Sequence, residues 1–256
     1  MKKIVMLCSR GDSSYLVYNK LSEHFSVEKV IIEDSVSTKN LLKRRIKKLG
    51  FMTVLGQVLF VGFIVPFLKK ASVDRKKEIL NEYGASVDDG VMMASEPVFV
   101  NSVNDKKCIE TLKEINPDIV VVNGTRIISE EVLNCVNAKF VNLHAGITPK
   151  YRGSHGAYWA LYNDDKENAG VTVHFVDKGI DTGNIIYQST ISVTEKDNFT
   201  TYPLLQTCVG VEDEIRAIND IMNGDVVCKT VDLPSGLYSH PTICQYLIKR
   251  FLHKVK

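Results

Sequence analysis

Short uncharged runs recur along the chain, each followed by a polar turn and then a segment with one apolar side. Lys3–Cys8 (KIVMLC) stops at Ser9-Arg10-Gly11-Asp12-Ser13-Ser14. It reads as a buried parallel strand that turns into a helix over Ser13–His24. Val27–Ile32 supplies a second strand and completes a βαβ beginning. A short strand is expected near Pro97-Val98-Phe99-Val100, and Cys108, Ile109, Leu112 and Ile115 recur at helical spacing within Asp105–Ile115. Pro117–Val122 (PDIVVV) is the clearest buried strand, and beyond it Ser129 and Glu131 suit the cap and first turn of a helix. Strands are expected at Lys139–Val141, Val171–Val176 and Gln188–Val193, with a helix over Ser154–Asn163 between the first two. Helices over Thr201–Met222, capped by Asn223-Gly224-Asp225, and over Thr242–His253 complete the chain. This alternation predicts an α/β fold: a Rossmann-like open sheet of mostly parallel strands with helices on both faces.

Residues 36–85 break the alternation. Lys39–Lys48 (KNLLKRRIKK) predicts a basic helix with Leu41, Leu42 and Ile46 on one side. Phe51–Phe67 then runs for seventeen residues without a charge, between basic flanks. A spanning helix needs about twenty apolar residues, and Thr53, Gly56, Gln57, Gly62 and Pro66 interrupt this run. The first expectation is a helix buried in the core or facing another subunit of a homo-oligomer. A membrane-surface helix comes second and a true span third.

Composition narrows the class. The 256 residues, 45% hydrophobic and 24% charged, suit an ordinary globular α/β domain. A net charge of +2 gives no electrostatic case for nucleic acid. The six cysteines show no C-x-x-C and no metal-type spacing, so free thiols in a reducing cytoplasm are expected. Met1-Lys2-Lys3 leads directly into the first strand, so no signal peptide is expected.

The candidate chemistry gathers between Lys139 and Tyr187. Asn142 and His144 stand two residues apart at a strand end and should face one space. Gly146, Pro149 and Gly153 punctuate a loop after them, and Asp177 and Asp181 lie in a Gly-rich loop after the next strand. Asn142 offers a neutral NH₂ donor for an oxyanion. His144 titrates nearest neutral pH, and Asp181 can orient its ring and favour its charged form. Tyr151 and Arg152 are candidates to touch an acceptor, since a loop arginine suits a diphosphate. His174 in mid-strand reads as a packed or hydrogen-bonded histidine, and His155 as a cap or a substrate contact. The turn at Arg10, Gly11 and Asp12 either receives an anion at a helix N-terminus or is a plain strand–helix turn.

Asn142-Leu143-His144, the loop Ile147-Thr148-Pro149-Lys150-Tyr151-Arg152-Gly153 and Asp181-Thr182-Gly183-Asn184-Ile185 together resemble the family of formyltransferases that use 10-formyltetrahydrofolate. The pattern is N-x-H, a loop of the type L-P-x-x-x-G, and D-x-G-x-I. The likeness covers about residues 115–192 and is closest in type to the sugar N-formyltransferases. It implies a formyltransferase-type fold, with residues 1–192 as catalytic domain, a helical insertion at about 36–85, and a helical extension over 193–256 packed on the same domain. It further implies Asn142, His144 and Asp181 as catalytic residues and 10-formyltetrahydrofolate as formyl donor. Arg126, Ile127 and Ile128, with Lys178, Gly179 and Ile180, map onto the donor pocket. Arg10, Gly11, Asp12, Gly146, Tyr151 and Arg152 map onto the acceptor side. The sequence after the matching part leaves no room for the β-barrel domain of tRNA-acting members, so the expected acceptor is a nucleotide-linked amino sugar, with glycinamide ribonucleotide or water as alternatives.

Three rival readings come from other classes. A metal-dependent hydrolase built on His144, His155, His174, Asp177 and Asp181 lacks H-E-x-x-H spacing and leaves Asn142 without a role. A serine hydrolase on Ser154 fails because Arg152-Gly153-Ser154-His155-Gly156 is not G-x-S-x-G. A non-catalytic binding module would have no use for an intact Asn, His and Asp.

Overall fold

A computed structural model describes residues 2–253 and 255–256; Met1, part of the expected lead into the first strand, lies outside them. The chain begins β1 (Ile4–Ser9), α1 (Asp12–His24) and β2 (Val27–Glu33). The insertion follows as α2 (Thr38–Leu49), α3 (Phe51–Leu59), a π-helical turn (Phe60–Ile64), α4 (Val65–Ala71), α5 (Val73–Glu82) and α6 (Gly90–Ala94). Then come β3 (Val98–Val100), α7 (Lys106–Ile115), β4 (Ile119–Asn123), α8 (Glu130–Leu133), β5 (Lys139–His144) and the short β6 (Arg152–Gly153). The remainder is α9 (Gly156–Tyr162), β7 (Gly170–Phe175), β8 (Ile185–Thr190), α10 (Tyr202–Asn223), β9 (Leu237–Tyr238) and α11 (Ile243–His253).

Seven strands form one sheet in the order β3-β2-β1-β4-β5-β7-β8. The first five are mutually parallel, and β7 and β8 are antiparallel additions. The chain winds outward from β1 through β2 and β3, then crosses back to β4 and β5. The reversal opens a crevice beyond the carboxyl ends of β1 and β4, where open α/β sheets take their ligands.

The uncharged runs are buried on both faces, which explains why they do not alternate. From β1, Ile4, Met6 and Cys8 enter the core beside α1 and α10, while Val5 and Leu7 enter the one beneath α7 and α8. Two expected boundaries shift. Asn142 and His144 lie inside β5, because the antiparallel partner β7 extends the ladder to His144↔Thr172. The strand expected over Gln188–Val193 runs instead over Ile185–Thr190, since pairing with β7 sets its limits.

The insertion overturns the expectation of a helix buried in the core. Phe51–Ala71 is one continuous helix, long and apolar enough to cross a membrane, and only 17% of its most apolar window is buried. Val54, Gln57 and Phe60 face the body, where Phe60 meets the rings of Phe199 and Tyr246. Beyond it, Arg75 of α5 forms a two-pronged ion pair with Asp197, 2.9 and 3.2 Å. Burial of Asp197 pushes its pKa up, but the Arg75 and Thr194 hydrogen bonds prevail and hold it below the usual carboxylate range. Removing one partner of such a pair leaves an uncompensated buried charge.

Glu214 of α10 is fully buried, and its carboxyl oxygens have no hydrogen-bond partner among the described residues. Burial alone pushes its pKa from 4.5 up to about 8. The folded state therefore keeps a proton that the unfolded chain loses above pH 4.5, and the resulting stability declines as the pH rises towards about 8.

Two outcomes follow from these buried groups. Arg75→Ala should lower unfolding free energy by about 3–5 kcal/mol, measured by urea denaturation; a loss under about 1 kcal/mol would show the pair to be dispensable. The melting temperature of Glu214→Gln relative to the parent should be higher at pH 8 than at pH 5, and an equal offset at both would show that Glu214 is not held protonated.

Candidate active site

The site is built where β5 and β7 run side by side. Asn142 and His174 are directly opposed across the ladder, and their Nδ2 and Nε2 atoms lie 3.1 Å apart. His174 Nδ1 is 2.7 Å from the Phe175 carbonyl. A carbonyl only accepts, so Nδ1 carries the hydrogen and Nε2 accepts from the Asn142 amide. Burial, followed by the neighbouring His144, holds the His174 pKa below the usual imidazole range, which keeps this ring neutral. His174 thus fixes which way the Asn142 amide points and leaves its second hydrogen to the cavity. The sequence carried this pairing as two polar residues on neighbouring strands, but the register was needed to see it.

His144 is buried, with Nε2 2.8 Å from the Tyr151 carbonyl and Nδ1 3.4 Å from Asp181 Oδ2. By the same reasoning Nε2 donates to Tyr151, and Nδ1 is the nitrogen left for proton exchange. Asp181 Oδ2 also accepts the Gly153 N–H at 2.9 Å, and Oδ1 lies 3.8 Å from His174 Nε2. Asp181 is held at φ 52°, a left-handed conformation costing a non-glycine residue on the order of 1 kcal/mol. Its loop is braced by Asp177 Oδ1, which accepts from the Gly179 N–H (2.9 Å) and the Thr182 hydroxyl (2.7 Å). A Cβ on Gly146 would collide with the Tyr151 carbonyl and come within 2.8 Å of His144 Nε2. Only glycine permits the contact that fixes the ring.

Two cavities open onto this group. One of about 290 Å³ is lined by Val122, Thr125–Ile128, Val176, Gly179 and Ile180. The other, about 430 Å³, is lined by Ser9–Ser14, Asn123 and Thr207, with His144 in its wall. Thr125, Asn142, Gly153 and Asp181 belong to both. A third cavity, about 620 Å³, lies between Leu161, Thr194, Tyr202 and Arg250 and holds none of these residues. Among the described residues no group of three or more His, Cys, Asp or Glu side chains could hold a metal ion.

Arg126, Ile127, Ile128, Gly179 and Ile180 line the smaller cavity, and Arg10, Gly11 and Asp12 line the larger one. The structure does not bring the other named residues to the cavities. Lys178 reaches into solvent and pairs with Glu130 at 3.5 Å. Tyr151 is buried, and its hydroxyl donates to Asp165 at 2.7 Å. Arg152 spends its guanidinium on the Ile180 carbonyl, 3.1 Å, as a brace between two loops. Gly146 acts from behind His144. The Arg126 side chain is tied to Glu33 at 2.6 Å and to the Asp34 and Asn101 carbonyls. His155 heads α9, half-buried, with its ring against Phe199 and His240. Thr125, Ser154 and Asn123, which the motifs did not mark, line the cavities because they end or follow strands.

The strand ends of a doubly wound sheet thus join an Asn, a His and an Asp to two adjoining cavities. A sequence model described as formyl transferase matches residues 72–205, just over half of the chain, and the protein belongs to the formyl transferase family. It is 37% identical over 128 residues to a methionyl-tRNA formyltransferase from Thermodesulfovibrio yellowstonii, an alignment covering 50% of this chain and 41% of that protein. The chain spans about half or less of the length of such curated relatives. A sugar N-formyltransferase structure from Shewanella superposes with a TM-score of 0.58 at 13% identity, over 93% of this chain and 76% of that one. An N-formyltransferase from Helicobacter canadensis, in complex with folinic acid and dTDP-3-aminofucose, gives 0.56 at 16% identity, over 91% and 70%. At these identities the two structures establish the shared fold.

Gly146→Ala should cost about 1–3 kcal/mol through overpacking and shift the ring resonances of His144. A variant as stable as the parent, with unchanged ring signals, would show that the contact is not required.

Proposed function

We propose that this chain transfers the formyl group of 10-formyltetrahydrofolate to the primary amine of a nucleotide-linked amino sugar. The observation that carries the reading is the meeting of two cavities at Asn142 and Asp181, with His144 in the wall of one. A one-carbon group passing between two bound molecules must cross such a junction. The smaller cavity suits the donor: Val122, Ile128 and Val176 offer apolar contact to a flat ring, and the backbone of residues 125–128 offers polar edges. The larger one suits an anionic acceptor, since Arg10 and the N-terminus of α1 line it. The Helicobacter protein, crystallised with a folate and a nucleotide-linked amino sugar, supports the same pairing.

In this reading the donor brings an activated formyl carbonyl, and the side chains do the rest. The free Asn142 amide hydrogen stabilises the negative charge that develops on the formyl oxygen. As the new carbon–nitrogen bond forms, His144 Nδ1 takes up the proton released by the attacking amine; the bond from the formyl carbon to the folate nitrogen then breaks and that nitrogen receives the proton, with Asp181 stabilising the imidazolium in between. His174 and the Tyr151 carbonyl act through Asn142 and His144 as positioning groups. Residues 1–192 form the catalytic unit and 193–256 its helical extension, working in a reducing cytoplasm that suits the free cysteines.

The test is incubation with 10-formyltetrahydrofolate and a panel of nucleotide-linked amino sugars, read by product mass. A gain of one formyl group on one member is expected. Free formate without any acceptor product would assign hydrolysis instead, and formylation of glycinamide ribonucleotide alone would reassign the acceptor. Asn142→Ala should lower kcat by about 10²–10³-fold, and His144→Ala by about 10²–10⁴-fold. Full turnover in either folded variant would remove that residue from the mechanism.

A further inference from the structure

The helix Phe51–Ala71 is apolar on every side, yet only one side is used by the protein. Its inner side is fastened: Gln57 Nε2 donates to the His240 carbonyl (2.7 Å) and the Ser239 hydroxyl (3.1 Å), and Phe60 sits between Phe199 and Tyr246. Gly56 lets Thr242, at the start of α11, pack directly on the helix. The outer side carries Phe51, Phe63 and Phe67 at 62, 61 and 73% exposure. Beside it, α11 ends with Phe251 at 79% and Leu252 at 72%. Exposed aromatic and aliphatic side chains in such number mark an interaction surface.

Charge identifies what the surface meets. Residues 35–73 contain eight lysines and arginines and no aspartate or glutamate, six of them on α2 and the other two at Lys69 and Lys70. None of the residues of α2 with a described side chain is buried. A symmetric pairing with a second copy would set this cationic stretch against itself, a juxtaposition that costs affinity. An anionic bilayer satisfies both parts, taking the apolar side chains below its headgroups and the basic ones among them. A span across the bilayer would have to tear Gln57 and Phe60 from their seats, whereas a helix lying in the surface keeps them.

We propose that the outer face of Phe51–Ala71, with the end of α11 and the basic helix α2, docks the protein peripherally on an anionic lipid bilayer. The test uses the full chain with sedimenting vesicles of phosphatidylcholine, with and without phosphatidylglycerol. Binding should require the anionic lipid and weaken as salt is raised. Phe63→Ser/Phe67→Ser and, separately, Lys43→Glu/Lys47→Glu should each weaken it by more than about tenfold, since one basic residue at such a surface contributes roughly fivefold. All four positions are exposed, and unchanged melting curves check that the variants stay folded. Failure of the parent to bind, or equal binding by the variants, overturns the proposal. So does a dimer that dissociates through the same substitutions without vesicle binding. Resistance to alkaline carbonate extraction would replace peripheral docking with a span.

Discussion

The carboxylate of Asp181 is the point on which the site depends. It accepts a backbone N–H from Gly153, faces the His144 ring and lies near His174. It therefore ties the loop after β7 to the loop after β5 and to the two strands themselves. The left-handed backbone at Asp181 opposes this placement, and the brace around Asp177 and the Arg152–Ile180 bond hold it against that strain. Strain kept in place by surrounding bonds is characteristic of sites whose geometry matters more than their local stability.

Rigidity reaches the site from the sheet. β5 and β7 set Asn142 opposite His174, and backbone carbonyls then fix both histidines: Phe175 holds His174, and Tyr151 holds His144. His174 has both nitrogens engaged, by the Phe175 carbonyl and the Asn142 amide, whereas His144 keeps Nδ1, which faces Asp181. The order of the strands does the remaining work, because reversal of winding at β1 and β4 opens the crevice in which the second cavity lies.

The insertion answers a different demand. Its inner residues join the body through Gln57, Phe60 and the Arg75–Asp197 pair, while its outer residues remain apolar in solvent. Ser239 and His240, which receive Gln57, follow directly on β9, and β9 pairs with the β6 strand that carries Gly153. A continuous line of contacts thus joins the exposed helix to the loop that holds Asp181.

The sequence by itself determined the α/β class, the main strands and the Asn142–His144–Asp181 grouping. Uncharged runs leave a strand no choice but burial on both faces, and residues two apart on a strand share a side. It could not determine tasks that depend on partners distant in the chain. Tyr151 and Arg152 have the chemistry of ligand contacts, yet Asp165 and the Ile180 carbonyl occupy them; Arg126 is likewise engaged by Glu33. His174 reads as a packed or hydrogen-bonded histidine, and only the antiparallel register reveals that its partner is the Asn142 amide. For Phe51–Phe67, local pattern marks an uncharged helix that suits a core or a subunit interface first and a membrane after it. Only the tertiary structure decided that most of it stays outside, because the body offers it a seat along one narrow side.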